Sequence, residues 1–242
     1  MKIEVFANDE ATARAAAKYI AAEAFAAVAA RGRFVMAVSG GRTPWMMLRA
    51  LAKENLPWKN IDITQVDERV APAGHPDRNL THLRESLLTD NSPVPPEQIH
   101  AMPVDSLEGD SLKGDSQKLE EAARQYDMLL RAIAGSPPPL DLIHLGLGPD
   151  GHTASLIPGD PVLNVADRDV ALTGIYQGRR RMTLTYPAIN RARRILWLAT
   201  GGEKVGMLIR LQKADPSIPA GRVCQDRAVI FADRAATADL AA

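Results

Sequence analysis

Asp150 and His152 are the pair in this chain best suited to moving a proton. They sit in Leu145-Gly146-Leu147-Gly148-Pro149-Asp150-Gly151-His152-Thr153-Ala154-Ser155. A histidine changes charge near neutral pH, and a carboxylate two residues away can orient it or contact a ligand. The apolar run Leu140 to Leu145 before the string reads as a buried strand, and Thr153-Ala154-Ser155 can open a helix. A strand that ends in such a glycine-rich turn puts polar side chains at the carboxyl edge of a parallel sheet, where open α/β proteins bind ligands. An Asp-x-His in a turn is also what an exposed loop without chemistry looks like. The pair gains weight only because further loops of the same kind accompany it.

The second loop is Ser39-Gly40-Gly41-Arg42-Thr43-Pro44, between an apolar run and a helical pattern. Its glycines let the backbone approach a ligand. The free N–H groups of the turn and helix start form an anion site, to which Ser39 and Thr43 add hydroxyl donors. Thr43 also suits a helix N-cap and Pro44 the first helical turn. The loop has no lysine at nucleotide-loop spacing and no G-x-G-x-x-G. Asp67-Glu68-Arg69 also follows a strand. Asp67 can accept from sugar hydroxyls, and Arg69 can grip a phosphate or carboxylate; three charges at a strand end also make an ordinary solvated rim. Asn79 is read as a helix cap and His75 as a solvent-exposed loop residue. Lys204, after Gly201-Gly202, adds its charge to a positive helix end. Of Arg179, Arg180 and Arg181, Arg181 abuts a strand-like segment and is the candidate ligand. Arg191 to Arg194 read as a solvated edge.

Strands are expected near Ile3–Phe6, Arg33–Val38, Ile61–Val66, Leu140–Leu145, Val170–Thr173, Arg194–Ala199 and Ala228–Phe231. Helices are expected near Asp9–Ala30, Pro44–Lys53, Asn79–Leu88, Gln117–Ala134, Pro187–Arg191 and Lys204–Gln212. Phe34–Val38 and Ile195–Ala199 are continuously apolar, as strands covered on both faces are. The alternation predicts a mostly parallel sheet with helices on both faces. Pro103 to Ser116 reads as a surface loop within one domain spanning 1–242, not as a boundary.

The 242 residues carry 29 basic and 29 acidic side chains, so no global field draws nucleic acid or an anionic membrane. One cysteine, Cys224, excludes an internal disulfide and suits a reducing cytoplasm. Met1 to Asn8 does not resemble a secretion signal. The Ala-rich stretch Ala11 to Ala30 contains Arg14, Lys18 and Glu23 and is not expected to span a membrane.

Taken together the loops resemble the 6-phosphogluconolactonase family, within the wider glucosamine-6-phosphate isomerase/deaminase-like group. The match is carried by Ser39-Gly40-Gly41-x-Thr43-Pro44, Asp67-Glu68-Arg69, Asn79, Leu145-Gly146-x-Gly148-x-Asp150-Gly151-His152-Thr153-Ala154-Ser155, Arg181-x-Thr183-Leu184-Thr185 and Gly202-x-Lys204. These occur in the family's order from Ser39 to Lys204. Arg42 stands where the family often has a small residue; it either adds a phosphate contact or crowds the loop. Deaminases of the group typically follow Asp-Gly-His with an Asn-Glu-Pro segment, whereas here no acid appears until Asp160.

The resemblance implies a modified Rossmann-like α/β fold and hydrolysis of 6-phospho-D-glucono-1,5-lactone without metal or other cofactor. His152 would be the general base on water, with Asp150 holding the imidazole or a sugar hydroxyl. The oxyanion would meet backbone N–H groups around Gly148 to Gly151, or Arg69. The phosphate would lie between the Ser39–Thr43 loop, including Gly40, Gly41 and Arg42, and Arg181 and Lys204. Gly151 is counted among the binding residues. A monomer or small homo-oligomer is expected. An amino-sugar phosphate deaminase or isomerase and a non-catalytic sugar-phosphate sensor are the alternatives. A metal hydrolase is weaker, since only His75 or His82 could join Asp150 and His152.

Overall fold

Strands and helices alternate through the described residues, 1–89, 92–105 and 114–239 of the computed structural model. In chain order they are β1 (Lys2–Phe6), α1 (Asp9–Arg31), β2 (Phe34–Val38), α2 (Arg42–Leu51), β3 (Ile61–Gln65), β4 (Asp67–Arg69), α3 (Asn79–Leu87), β5 (Ile99–His100), α4 (Gly114–Ala134), β6 (Leu142–Gly146), β7 (Val170–Leu172), β8 (Arg181–Leu184), α5 (Tyr186–Arg191), β9 (Ile195–Ala199), α6 (Val205–Gln212) and β10 (Ala228–Asp233).

Seven strands form one sheet in the order β1-β10-β9-β6-β2-β3-β5, and every neighbouring pair is parallel. The continuous apolar runs are explained by which face each side chain takes. Phe34, Met36 and Val38 of β2, with Leu196 and Leu198 of β9, pack on the alanine face of α1 and on Met47, Leu48 and Leu51 of α2. Val35, Ala37, Ile195, Trp197 and Ala199 point the other way, onto Tyr126 and Leu130 of α4 and Leu208 and Leu211 of α6. Successive strand residues face opposite sides, so a strand covered on both sides is apolar at every position. Asn8 caps α1 by accepting from Ala11 N, and Gly32 ends it with φ 78°.

The chain reverses its strand order between β2 and β6, and there the sheet opens. β2 keeps only Met36↔Leu142 and Ala37↔Ile143 with β6, while β2 pairs with β3 to Val38↔Gln65 and β6 with β9 to Gly146↔Leu198.

Several expectations need correction. A second, antiparallel sheet, β4-β8-β7, was not foreseen, nor was the short β5. Val170–Leu172 belongs to that second sheet and not to the parallel one. No helix opens at Thr153. Residues 153–156 make a tight turn, with Leu156 N–H to Thr153 O at 2.8 Å and Ala154 at φ 52°, because Ser155 is drawn to Thr183 and Asp67. The N-cap of α2 is Gly41, not Thr43, and that of α3 is Arg78, not Asn79. α4 starts at Gly114, inside the expected surface loop; Ser106, Glu108, Gly109 and Asp110 of that loop lie outside the described residues.

Candidate active site

The turn after β6 presents the proton-transfer pair. His152 Nδ1 lies 2.5 Å from Asp150 Oδ1, and the His152 N–H donates to the same oxygen at 3.1 Å. The Tyr176 hydroxyl donates to Asp150 Oδ2 at 3.1 Å, and its ring stands edge-on to the imidazole at 5.7 Å. An ionised carboxylate only accepts, so Nδ1 carries the proton and Nε2 keeps the lone pair. Partial burial pushes the Asp150 carboxyl up, but the His152 N–H, the imidazole and the Tyr176 hydroxyl outweigh it and hold the group below the usual carboxylate range.

The turn is folded by its glycines. Gly148 N–H donates to His152 O at 2.8 Å and Gly151 N–H to Gly148 O at 3.1 Å. A Cβ on Gly148 would run into the imidazole, and one on Gly151, at φ 81°, would meet Ile218 Cβ at 2.6 Å. With both amides spent and Pro149 lacking one, the turn has little left to offer an oxyanion.

The second sheet supplies the charged wall. β4 pairs with β8 as Asp67↔Thr183, Glu68↔Met182 and Arg69↔Arg181, which sets Arg69 directly opposite Arg181. Arg181 is 4% exposed. Its guanidinium lies 4.9 Å from the Tyr176 ring centroid and donates to Gln177 Oε1 at 3.1 Å. Burial and the neighbouring Arg69 both disfavour its charge. Two guanidiniums held side by side, that of Arg181 buried, gain when an anion arrives. Asp67 is buried, accepting from Ser155 Oγ at 2.6 Å and Asn79 Nδ2 at 3.3 Å. Asn79 is no cap: it bridges Asp67 and Arg69 by its side chain. Glu68, 0% exposed, performs the capping instead, accepting from Asn79 N and Leu80 N at 2.8 Å each beside Arg78.

These walls enclose a cavity of about 200 Å³ that brings together Ser39, Gly40, Asp67, Arg69, Asn79, His152, Arg181 and Lys204. Gly41, Arg42 and Thr43 line an adjoining space of about 370 Å³, which shares Gly40, Gly146, Leu147 and Lys204 with the first. Gly151 lines neither. Arg42 does not crowd the loop. Its side chain is 85% exposed and pairs with Asp9 at 3.0 Å. The Thr43 hydroxyl is engaged with Thr200 Oγ1 at 2.7 Å. Ser39 donates its hydroxyl to His144 O at 3.1 Å. His75 pairs with Asp77 and Arg179, and His82 with Glu85. Among the described residues no three His, Cys, Asp or Glu side chains form a metal-ligand cluster. Arg191 and Arg193 pair with the buried Asp169 and Asp141, so that edge is less solvated than expected. A larger groove of about 750 Å³ lies between α1 and α2, but the proton-transfer pair is not part of it.

A family model described as glucosamine-6-phosphate isomerases/6-phosphogluconolactonase matches residues 7–231. The chain belongs to this family. It is 36% identical to a 6-phosphogluconolactonase of Synechocystis sp., over 93% of this chain and 91% of that protein. It is 35% identical to one of Mycobacterium tuberculosis, over 98% of both. The solved structure of 6-phosphogluconolactonase from Trypanosoma brucei superposes with a TM-score of 0.85 at 25% identity, over 99% of this chain and 98% of that one. A monomeric glucosamine-6-phosphate deaminase shares the fold, with a TM-score of 0.79 at 18% identity.

Thr153 and Ser155 are fully buried, and Ser155 is tied to Asp67, so this segment offers no carboxylate to the cavity. Tyr176 was missed by sequence reasoning. It lies in a Tyr176–Arg179 turn with Gln177 at φ 52°, and the Gln-Gly pair was the one local signal of that turn.

Proposed function

We propose that His152 is the general base and Asp150 its anchor in the hydrolysis that this chain catalyses. The reaction is conversion of 6-phospho-D-glucono-1,5-lactone to 6-phospho-D-gluconate, in the oxidative pentose phosphate pathway. The observation that carries the mechanism is that His152, held by Asp150 at 2.5 Å, opens on the same cavity as Arg69, Arg181 and Lys204. A lactone is an activated ester, so no covalent nucleophile is required. His152 Nε2 takes a proton from water as the oxygen attacks C1. The developing oxyanion is met by Arg69, the donor left once the Gly148 and Gly151 amides are spent in their turn. When the C1–O5 bond breaks, the imidazolium returns its proton to O5, and the new acid releases its own to solvent. Asp67 accepts from ring hydroxyls.

Gly40, Arg181 and Lys204 take the phosphate, fixing the far end and aligning C1, while Ser39, whose amide and hydroxyl are both spent on His144, shapes the turn that carries Gly40. Arg42 and Gly151 are dropped from this set, and Gly41 and Thr43 act through the start of α2. The chain works as one domain and as a monomer or small homo-oligomer, since both sheets of a single chain wall the cavity. The lone Cys224 suits a reducing compartment, and we place the enzyme in the cytoplasm on that ground; no described helix is long and apolar enough to cross a membrane.

The test is acid release from freshly made lactone at constant pH, against the spontaneous background. His152→Ala and Asp150→Asn should each lower kcat by about 10²–10⁴-fold with little change in KM. A folded His152→Ala variant with wild-type turnover removes the base assignment.

A further inference from the structure

His144 lies mid-strand in β6, fully buried, and takes no part in the chemistry above. It stands where the ladder between β2 and β6 stops. The last registered pair is Ala37↔Ile143, one residue before it. Beyond that point the strands are joined by a reciprocal pair of bonds. Ser39 N–H donates to His144 Nδ1 at 3.2 Å, and Ser39 Oγ donates to His144 O at 3.1 Å. The backbone donor on one strand and the backbone acceptor on the other are each met by a side chain in place of the opposite backbone. The imidazole therefore separates the two strands at the point where the sheet reverses direction, yet leaves no main-chain group of the pair unsatisfied.

The separation has a consequence for the loop. Ser39 and Gly40 line the cavity with Lys204 and Arg181. On the far side Gly40 packs so closely on Asn79 Oδ1 that a Cβ could not be accommodated. The Ser39–Gly40 peptide is thus held between His144 behind and Asn79 in front. A turn whose buried Ser39 amide has this one acceptor is sensitive to that bond, because the orphaned N–H would turn to find another.

We propose that His144 is a positioning residue for phosphate recognition: through Nδ1 and its carbonyl it holds the Ser39–Gly40 turn in the form that receives the substrate phosphate. It does so as the neutral tautomer with the proton on Nε2, because Nδ1 must accept. The inference rests on the lactonase reading and extends it to a residue outside the cavity.

The experiment compares wild type with His144→Asn, His144→Gln and His144→Leu. Lactone kinetics give KM and kcat, and calorimetry gives affinity for 6-phosphogluconate and, as a control, gluconate. An asparagine can present its amide oxygen near the position of Nδ1; glutamine and leucine cannot. His144→Leu and His144→Gln should raise KM and the 6-phosphogluconate Kd about tenfold, with kcat within about a factor of two and no change toward gluconate. His144→Asn should stay within about threefold of wild type. Equal KM for His144→Leu and wild type, equal damage by Asn and Leu, or a loss confined to kcat would each overturn the proposal. The ¹⁵N spectrum of the wild-type imidazole tests it without a variant: a proton on Nδ1 overturns it, and an unprotonated Nδ1 with Nε2–H supports it. Wild-type protein that neither hydrolyses the lactone nor binds 6-phosphogluconate would refute the lactonase reading instead.

Discussion

Acid should destabilise this chain through His144, by an amount that its burial sets. Burial lowers its pKa from 6.5 to about 3. In the unfolded chain the imidazole is in water and takes its proton near 6.5, whereas in the fold it stays neutral until about pH 3. Between those values the unfolded state binds more protons, so stability falls as pH falls through this window and is unaffected by this group above it. The gap of about 3.5 pH units, at about 1.4 kcal/mol each, gives a loss of about 5 kcal/mol by pH 3. That is comparable with the whole stability of many domains, about 5–15 kcal/mol. Protonation would also end the acceptance from Ser39 N–H, so the turn fails together with the fold. The assay is urea denaturation at pH 7, 6, 5 and 4 for wild type and His144→Asn. Carboxylates such as Asp62, which burial raises but His100 and Arg33 hold lower on balance, lose their contribution in both proteins and cancel in the difference. Wild type should lose about 1.4 kcal/mol more per pH unit than the variant below pH 6. Parallel pH profiles for the two proteins would refute the reasoning.

Three further outcomes follow from the site. Tyr176→Phe keeps the ring over Arg181 but removes the hydroxyl from Asp150 Oδ2. It should lower kcat about tenfold or less and raise the Asp150 carboxyl pKa, read from its ¹³C shift against pH, because one of the bonds holding Asp150 down is lost; an unmoved titration counts against the link. Lys204→Ala should raise KM at least about tenfold while kcat changes little, and a loss confined to kcat would contradict the phosphate role. Glu68→Gln leaves Arg78, 1% exposed, beside a neutral partner and puts an amide donor where several N–H groups need an acceptor. Urea denaturation should show a loss of about 3 kcal/mol; a loss below about 1 kcal/mol would mean that the capping is redundant.

The middle of the parallel sheet was legible because β2 and β9 obey a simple rule. A strand packed on both faces is apolar throughout, and Phe34–Val38 and Ile195–Ala199 are buried at every position. The second sheet breaks that rule. β4 is Asp67-Glu68-Arg69, three charges that pattern alone assigns to a solvated rim. Asp67 and Glu68 are nonetheless buried, because Ser155, Gln65, the start of α3 and Arg78 satisfy them. No hydrophobic periodicity records a strand whose partners are hydrogen bonds from residues far along the chain. The same cause misled the reading of Asn79 and of Thr153 to Ser155. Local propensity makes Asn79 a cap and Thr153 a helix start; α3 does begin at Asn79 and no helix begins at Thr153, and the side chains of Asn79 and Ser155 are claimed by tertiary partners.

The candidate site divides along the same line. His152 and Lys204, which line the cavity, were visible because glycine-rich turns at strand ends announce where a ligand can approach, and Arg181 because it abuts a strand. Arg42 shows the limit of that signal. It lies in the loop itself, at the first position of α2, but its side chain is exposed and pairs with Asp9 while Thr43 and Pro44 beside it are buried. Tyr176 and His144 show the converse. One reaches Asp150 from 26 residues away and the other reaches Ser39 across 105, so neither is marked by its neighbours. His144 is the sharper case. A lone histidine in an apolar strand is ordinarily a core residue that found a partner, and by burial alone it still is. What gives it a role is that its partner is the amide of Ser39, at the place where β2 and β6 stop pairing. Spacing in the sequence tells where catalytic groups can stand; which buried group holds them there is decided by where the sheet has to open.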